Sequence, residues 1–186
     1  MPNWCDTQIT INGEPAELKK FMELLDNWTS EENSHPNGFG RFWLGNIVLN
    51  AGLAESSEDY ACRGEIWYGD LDVVSGQIVL YTRTAWAPMN QLWKDVISRY
   101  IPDCEFIYCS IEPGFKVFET NDVSLLGQYY VDMASDELPD LDGDMAEEEL
   151  EDELRTLLES DAELPELISM AEDKYDIVIG EWNYVP

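Results

Sequence analysis

The sequence is poor in the side chains that most often bind metals, act as nucleophiles or contact phosphates. Its 186 residues include one histidine and four cysteines with no Cys-x-x-Cys pair, so we expect neither a zinc site nor disulfides. Lysine and arginine number 10 against 39 acidic residues, which gives a formal net charge of -29. Because nucleic acids and anionic membranes are both bound through Lys and Arg, this balance argues against either as a direct partner.

Long apolar runs are also missing. No stretch approaches the roughly 18 consecutive apolar residues of a membrane-spanning helix, and the first residues lack the basic and apolar regions of a signal peptide. The sequence also lacks a phosphate-binding loop, a dinucleotide-binding turn, a nucleophile elbow and a metalloprotease helix. We therefore expect a cytoplasmic protein with no cofactor.

The clearest structural signal extends from Gly76 to Tyr100. Residues alternate at period two from Ile78 to Trp86, which predicts a core strand, and a Ser-Gly hairpin turn precedes it. After Pro88, apolar residues recur at spacings of one, three and four, which predicts an amphipathic helix. A strand and a helix joined this closely should pack against each other.

The rest of the chain extends this pair into a larger pattern. A second amphipathic helix is predicted over residues 15–28, whereas the glycines and asparagines of residues 42–64 prevent an assignment. Further strands are predicted at Trp4–Ile11, Glu65–Val74, Glu105–Glu112, Phe115–Glu119 and Gly127–Met133. The resulting βαββαβ order predicts an α+β, ferredoxin-like fold, in which two helices cover one face of an antiparallel sheet.

Four short motifs occur in a fixed order along the chain. They are Met1-Pro2-Asn3-Trp4-Cys5, the turn Asn12-Gly13, the junction Thr84-Ala85-Trp86-Ala87-Pro88, and Thr120-Asn121-Asp122. Together they resemble the YubB/Api92-like family of ferredoxin-like proteins over residues 1–133. The resemblance implies a ferredoxin-like domain of bacterial origin, often found on phages, plasmids or other mobile elements, and it provides no functional residues to transfer.

The end of the chain is markedly acidic. Asp132 to Asp173 contains 18 of the 39 acidic residues and one basic residue. Two apolar stripes predict helices within it, and Tyr175–Tyr184 predicts a closing strand. The stripes consist of Leu150, Leu154, Leu157 and Leu158, and of Leu164, Leu167, Ile168 and Ala171. We therefore expect a ferredoxin-like domain at residues 1–133 and an acidic helical extension at residues 134–186 whose final strand packs on the same domain.

Two groups of side chains are candidate partner surfaces. Trp67, Trp86 and Trp93 surround the central strand and helix; aromatic residues at such a junction usually belong to the core, but they also line ligand or partner sites. In the extension, outward-facing acids could form an acidic partner surface. These acids are Glu148, Glu151, Asp152 and Glu159.

A calcium-loop pattern in the acidic segment is incomplete. Four residues match its positions three, five, six and twelve, namely Asp140, Asp142, Gly143 and Glu149. Position one is Leu138, which has no ligand oxygen, so we interpret the segment as a solvated acidic loop or a loose cation site.

Two other patterns resemble catalytic ones. His35 lies in a Ser-His-Pro-Asn loop with nothing that marks a cleft, and Asp70 and Asp72 should project from one face of a strand. A surface histidine and an exposed carboxylate pair are the ordinary interpretations. We predict no catalytic, cofactor-binding or metal-binding residue.

These observations favour a non-enzymatic binding or accessory protein of bacterial or mobile-element origin. One alternative is an acidic mimic of nucleic acid that inhibits a DNA-binding protein, and another is an enzyme with an unidentified carboxylate site. A mimic needs carboxylates on a rigid surface at phosphate-like spacings, whereas an enzyme needs a concave pocket with convergent polar groups. The sequence indicates neither the identity of a protein partner nor the oligomeric state.

Overall fold

The computed structural model describes residues 3–72, 74–133, 141 and 143–186. The chain folds into two compact units, which we call unit 1 (Met1–Glu112) and unit 2 (Pro113–Pro186). Unit 1 contains β1 (Trp4–Asn12), α1 (Pro15–Trp28), α2 (Leu44–Asn50), β2 (Gly64–Asp72), β3 (Gln77–Ala85), α3 (Asn90–Tyr100) and β4 (Glu105–Glu112). Unit 2 contains β5 (Val117–Thr120), β6 (Gln128–Met133), β7 (Gly143–Ala146), α4 (Glu147–Leu158), α5 (Leu164–Tyr175), β8 (Ile177–Glu181) and β9 (Asn183–Tyr184).

The strands of unit 1 lie in the order β2-β3-β1-β4, and all neighbouring pairs are antiparallel. Burial alternates along β1, where Ile9 and Ile11 are buried and Asp6 and Gln8 are exposed. One face of the sheet therefore belongs to the core and the other lies open. The buried residues of the helices complete the same core, and they include Phe21, Leu25, Ile47, Leu92, Trp93 and Val96.

The two predicted helices of unit 1 are confirmed. Helix α1 has Pro15 in its first turn and buries one stripe of side chains, as the spacing of three and four requires. Helix α3 begins at Asn90, two residues after the predicted start at Pro88. The segment 42–64, which the sequence pattern left unassigned, contains helix α2.

The hairpin of β2 and β3 contains an irregularity. Their register shifts between Ile66 and Tyr68, which leaves Trp67 as the extra residue of a β-bulge. Strand β2 lies at the edge of the sheet. A bulge bends the strand locally and redirects a side chain, so Trp67 departs from the regular alternation of β2.

Unit 2 has its own sheet and core. Strand β6 pairs antiparallel with β7 on one side and β8 on the other, and β5 pairs in parallel with β9. The apolar stripes predicted in the acidic segment lie in α4 and α5. Their buried residues form a core with the sheet, which includes Leu150, Leu154, Leu164, Leu167, Ile177 and Ile179.

The predicted ferredoxin-like βαββαβ fold is wrong as a description of this chain. The described residues form nine strands and five α-helices, with α2 inserted before β2 and a second, three-stranded sheet in unit 2. The prediction placed Gln128–Met133 in the first domain, but this strand pairs with β7 and β8. A mixed α+β arrangement describes the chain. None of the described helices is both long enough and apolar enough to cross a membrane.

Candidate functional site

Three exposed aromatic rings of unit 1 each lie against an arginine. The guanidinium carbon of Arg83 is 4.1 Å from the ring centroid of Trp67, that of Arg41 is 4.4 Å from Phe42, and that of Arg63 is 5.2 Å from Trp86. The exposed fractions are 66% for Trp67, 43% for Trp86 and 40% for Phe42. We call these six residues the aromatic–arginine surface. Three of the five arginines in the chain contribute to it.

The bulge in β2 and an ion pair position the centre of this surface. Arg83 lies across from Glu65 on β2 and from Asp6 on β1. Its Nε donates to Asp6 Oδ1 at 2.8 Å, and this hydrogen bond raises the pKa of the guanidinium above its usual value. The arginine is thus held in place and charged beneath the ring of Trp67, where cation–π attraction is favourable.

A loop held by two asparagines places Phe42. The side chain of Asn37 donates to the carbonyls of His35 and Gly40 and accepts from the N–H groups of Phe39 and Gly40. Buried Asn46 accepts from the His35 N–H and donates to the Arg41 carbonyl. The Phe42 carbonyl then accepts the Ile66 N–H at 2.9 Å. Side-chain hydrogen bonds therefore fix the approach of this loop to β2.

A cavity of about 250 Å³ opens beside this loop, between α1 and β2. Its apolar lining includes Met22, Leu25, Phe42, Ile66, Trp67 and Leu80. We call it the β2 cavity. Since two of its lining residues belong to the aromatic–arginine surface, an exposed aromatic patch and an apolar cavity lie together at the edge of unit 1.

Trp86 is presented by a strained backbone. Its φ is +67°, in the left-handed region that non-glycine residues seldom adopt. The Trp86 N–H donates to the Asn3 carbonyl at 2.8 Å, and the Thr84 hydroxyl donates to the Ala87 carbonyl at 2.8 Å. The expectation that Trp86 is a core residue is wrong, because the left-handed turn directs the chain out of β3 and leaves the ring partly exposed.

The three tryptophans singled out from the sequence have different environments. Trp93 is 1% exposed and lies in the core of unit 1, so it is not part of a surface. Trp67 and Trp86 are exposed, as a partner site requires. The sequence pattern did not identify Phe42 or the three arginines, because their placement depends on the bulge and on long-range hydrogen bonds.

A second cavity of about 690 Å³ lies at the start of α3. Asp95 accepts hydrogen bonds there from the Tyr60 hydroxyl at 2.6 Å and from Gln91 Nε2 at 2.8 Å. The hydrogen bond to Asp95 raises the pKa of Tyr60 to about 12. The phenol therefore stays protonated at neutral pH and serves as a donor, so it is poorly suited to act as a base.

Burial also suppresses the reactivity of two thiols. It raises the pKa of Cys5 to about 12 and that of Cys62 to about 11, and a thiol must ionise to act as a nucleophile. His35 contacts helix α2: its backbone N–H donates to Asn46, and its Nε2 lies 3.0 Å from Asn50 Oδ1. In the described ranges, no group of three or more His, Cys, Asp or Glu side chains is arranged to hold a metal ion.

The carboxylates named from the sequence have separate environments. Asp72 accepts from the N–H groups of Val74 and Ser75, and hydrogen bonds from Ser75 and Val74 lower its pKa. It therefore stabilises the hairpin turn. Asp70 is exposed two residues earlier. The calcium-loop pattern lies largely outside the described residues, at positions 138, 140 and 142.

The acidic candidates of unit 2 lie on or next to α4. Glu148 and Asp152 are exposed, whereas Glu151 accepts from Arg155 at 2.6 Å and is partly covered. Exposed Glu159 ends the helix with φ of +51°. Three of these four residues, Glu148, Asp152 and Glu159, are therefore exposed to solvent.

No family model, curated protein or solved structure matches the chain.

Proposed function

We propose that the chain is a non-enzymatic, cytoplasmic binding protein that contacts a protein partner through the aromatic–arginine surface. The observation that supports this function is the exposure of Trp67 on a bulged edge strand with Arg83 fixed beneath its ring. Trp and Arg are enriched among the residues that dominate binding energy at protein interfaces. The resemblance to YubB/Api92-like proteins and an origin in bacteria or on a mobile element form part of the same proposal.

The experiment compares two equally exposed aromatic residues. Trp67 in unit 1 and Phe115 in unit 2 are 66% and 64% exposed. Affinity capture from the native host, quantified by mass spectrometry, should lose its specific proteins by about tenfold or more with Trp67→Ala, because an interface anchor is worth at least that much. Phe115→Ala is the control and should change nothing.

A second candidate function is mimicry of nucleic acid by unit 2. Both of its helices end at an acidic residue with positive φ, Glu159 at +51° and Asp176 at +54°. Glycine is favoured at such positions, and a helix C-terminus favours cations over anions. Acidic residues thus occupy positions where they reduce helix stability, as expected if the negative surface itself is functional.

Two sets of variants distinguish these candidates. Replacing Glu148, Asp152 and Glu159 together with Gln should remove a DNA-binding protein from the captured set if mimicry is the function, with a larger loss at low salt. Under the favoured proposal this triple variant keeps the Trp67-dependent proteins. If neither set of variants changes the captured proteins, binding is rejected for both units, and an enzymatic role near Asp95 becomes the leading alternative.

A further inference from the structure

The edge of unit 1 has unused backbone hydrogen-bonding capacity. Strand β2 is terminal in the order β2-β3-β1-β4. The outer side of β2 forms one bridge, between Glu65 and Trp43, and one hydrogen bond from Ile66 to Phe42. From Trp67 to Asp72, no described residue pairs with this side. An edge strand presents outward N–H and C=O groups to any extended segment that lies beside it.

The two faces next to this edge differ in chemistry. Gly69 and Leu71 pair with the buried Leu80 and Ile78, so they lie on the helix-covered face, next to the apolar β2 cavity. Asp70 and Asp72 lie on the open face and are exposed. Because side chains alternate between faces, a strand added here would direct every second side chain toward the cavity and the others toward the carboxylates.

We propose that the partner presents an extended basic segment that adds to β2 as a further strand. An apolar side chain of this segment occupies the β2 cavity, and lysine or arginine side chains on its other face lie near Asp70 and Asp72. The inference rests on the proposed function, since the added strand passes beside Trp67. Main-chain hydrogen bonds supply affinity in this mode, and the cavity and the carboxylates supply specificity.

Charge argues against a second copy of this chain as the occupant. Each copy has a formal net charge of -29. Pairing two β2 edges would also bring Asp70 and Asp72 of both copies onto neighbouring strands, and like charges on neighbouring strands are destabilising. A basic segment replaces this repulsion with attraction.

The probe is a fluorescein-labelled seven-residue peptide of alternating Lys and Val, measured by fluorescence anisotropy with the full-length protein. Two further peptides are N-methylated, one at every Lys and the other at every Val. Since only one alternate set of amides faces β2, one methylated peptide should lose binding and the other should keep it. An alternating Glu and Val peptide should not bind.

Two charge variants test the position of the peptide. Asp70→Lys should weaken binding roughly tenfold, because it replaces attraction with repulsion next to the added strand. Asp103→Lys makes the same change at an exposed acid before β4, the strand of unit 1 farthest from β2, and should leave binding unchanged. Circular dichroism checks that both variants fold.

Three results with the peptides and charge variants would each overturn the inference, as would the dimer described below. They are no binding of the Lys and Val peptide, equal binding of both methylated peptides, and equal effects of the two charge variants. If one of these results is obtained but capture still depends on Trp67, the proposed function holds and the partner binds as a folded surface.

If the peptide binds as expected but capture does not depend on Trp67, strand addition stands and the proposed role of the aromatic–arginine surface fails. A dimer in sedimentation equilibrium that Trp67→Ala disrupts would identify a second copy as the occupant and reject the basic segment.

Discussion

The basic side chains of units 1 and 2 differ in the groups that they contact. Unit 2 has 22 acidic and 3 basic residues, and each of its cations lies against a group of the same unit: Lys116 on Glu172, Arg155 on Glu151, and Lys174 over Tyr175. Unit 1 has 17 acidic and 7 basic residues, and three of its arginines lie on exposed aromatic rings. Each unit has its own core. Substitutions can therefore alter the aromatic–arginine surface of unit 1 or the negative charge of unit 2 separately.

The largest expected effect is on the core of unit 1. Trp93→Ala should lower the free energy of unfolding by about 3 to 5 kcal/mol, because it removes a buried aromatic ring and leaves a cavity. Trp67→Ala, at an exposed ring, should change it by no more than about 0.5 kcal/mol. Chemical denaturation measures both values.

Hydrogen exchange extends the same experiment to the second unit. If the two cores are independent, Trp93→Ala leaves the protection of amides in 113–186 unchanged. Loss of protection in residues 113–186 would contradict independent cores and show that the two cores unfold together.

A gain in stability is expected at the end of α4. Glu159→Gly should raise the free energy of unfolding by about 1 kcal/mol, because glycine adopts positive φ without a steric penalty and the substitution removes an anion from the helix C-terminus. Thermal unfolding of the wild type and the variant measures the change. Glu159→Gln separates the charge effect, since it keeps the backbone penalty; a Gly variant no more stable than the Gln variant would contradict the backbone argument.

The junction after β3 should respond in a similar way. Trp86→Gly should be more stable than Trp86→Ala by about 1 kcal/mol, since the position has positive φ. Neither variant should lower the free energy of unfolding by the roughly 3 to 5 kcal/mol that loss of a buried ring would cost. Denaturation midpoints of the two variants decide this, and an alanine variant as stable as the glycine variant would argue against backbone strain.

The smallest effect concerns the hairpin of unit 1. The pKa of Asp72 is lowered in the folded protein, so its contribution to stability is present above the usual pKa of the carboxyl group and is lost as pH falls through the folded value. Asp72→Asn should therefore lower the melting temperature slightly at neutral pH, and the difference should disappear at strongly acidic pH. A difference that is independent of pH would show that charge is not the cause.

Sequence periodicity predicted the elements in which buried residues recur at a regular spacing along the chain. Helix α1 and the strand Glu105–Glu112 are examples, because local spacing alone determines which side chains meet the core. Helix α2 was not predicted because its asparagines bond to residues distant in sequence: Asn50 donates to the carbonyls of Trp28 and Asn33. The pairing of β6 with β7 and β8 depends on contacts far apart in sequence, which a βαββαβ template does not contain.

The candidate site was only partly predictable for the same reason. Composition identified Trp67 and Trp86, but nothing local indicates the bulge at Trp67 or the positive φ of Trp86. The contribution of Arg83 requires the register of three strands. The sequence favoured a core position for all three tryptophans, and long-range pairing determined that Trp67 and Trp86 are exposed while Trp93 is buried.

Chemical ageing should act on the loop that presents Phe42. Asn37 precedes Gly38, and an asparagine before glycine is prone to deamidation because the unbranched neighbour lets its backbone nitrogen attack the side-chain amide. The resulting aspartate has no N–H to donate to the carbonyls of His35 and Gly40, so oxygen atoms would face oxygen atoms where hydrogen bonds now lie. Deamidation of Asn37 would therefore disturb the placement of Phe42, and binding measured on aged protein would underestimate the affinity of the freshly made chain.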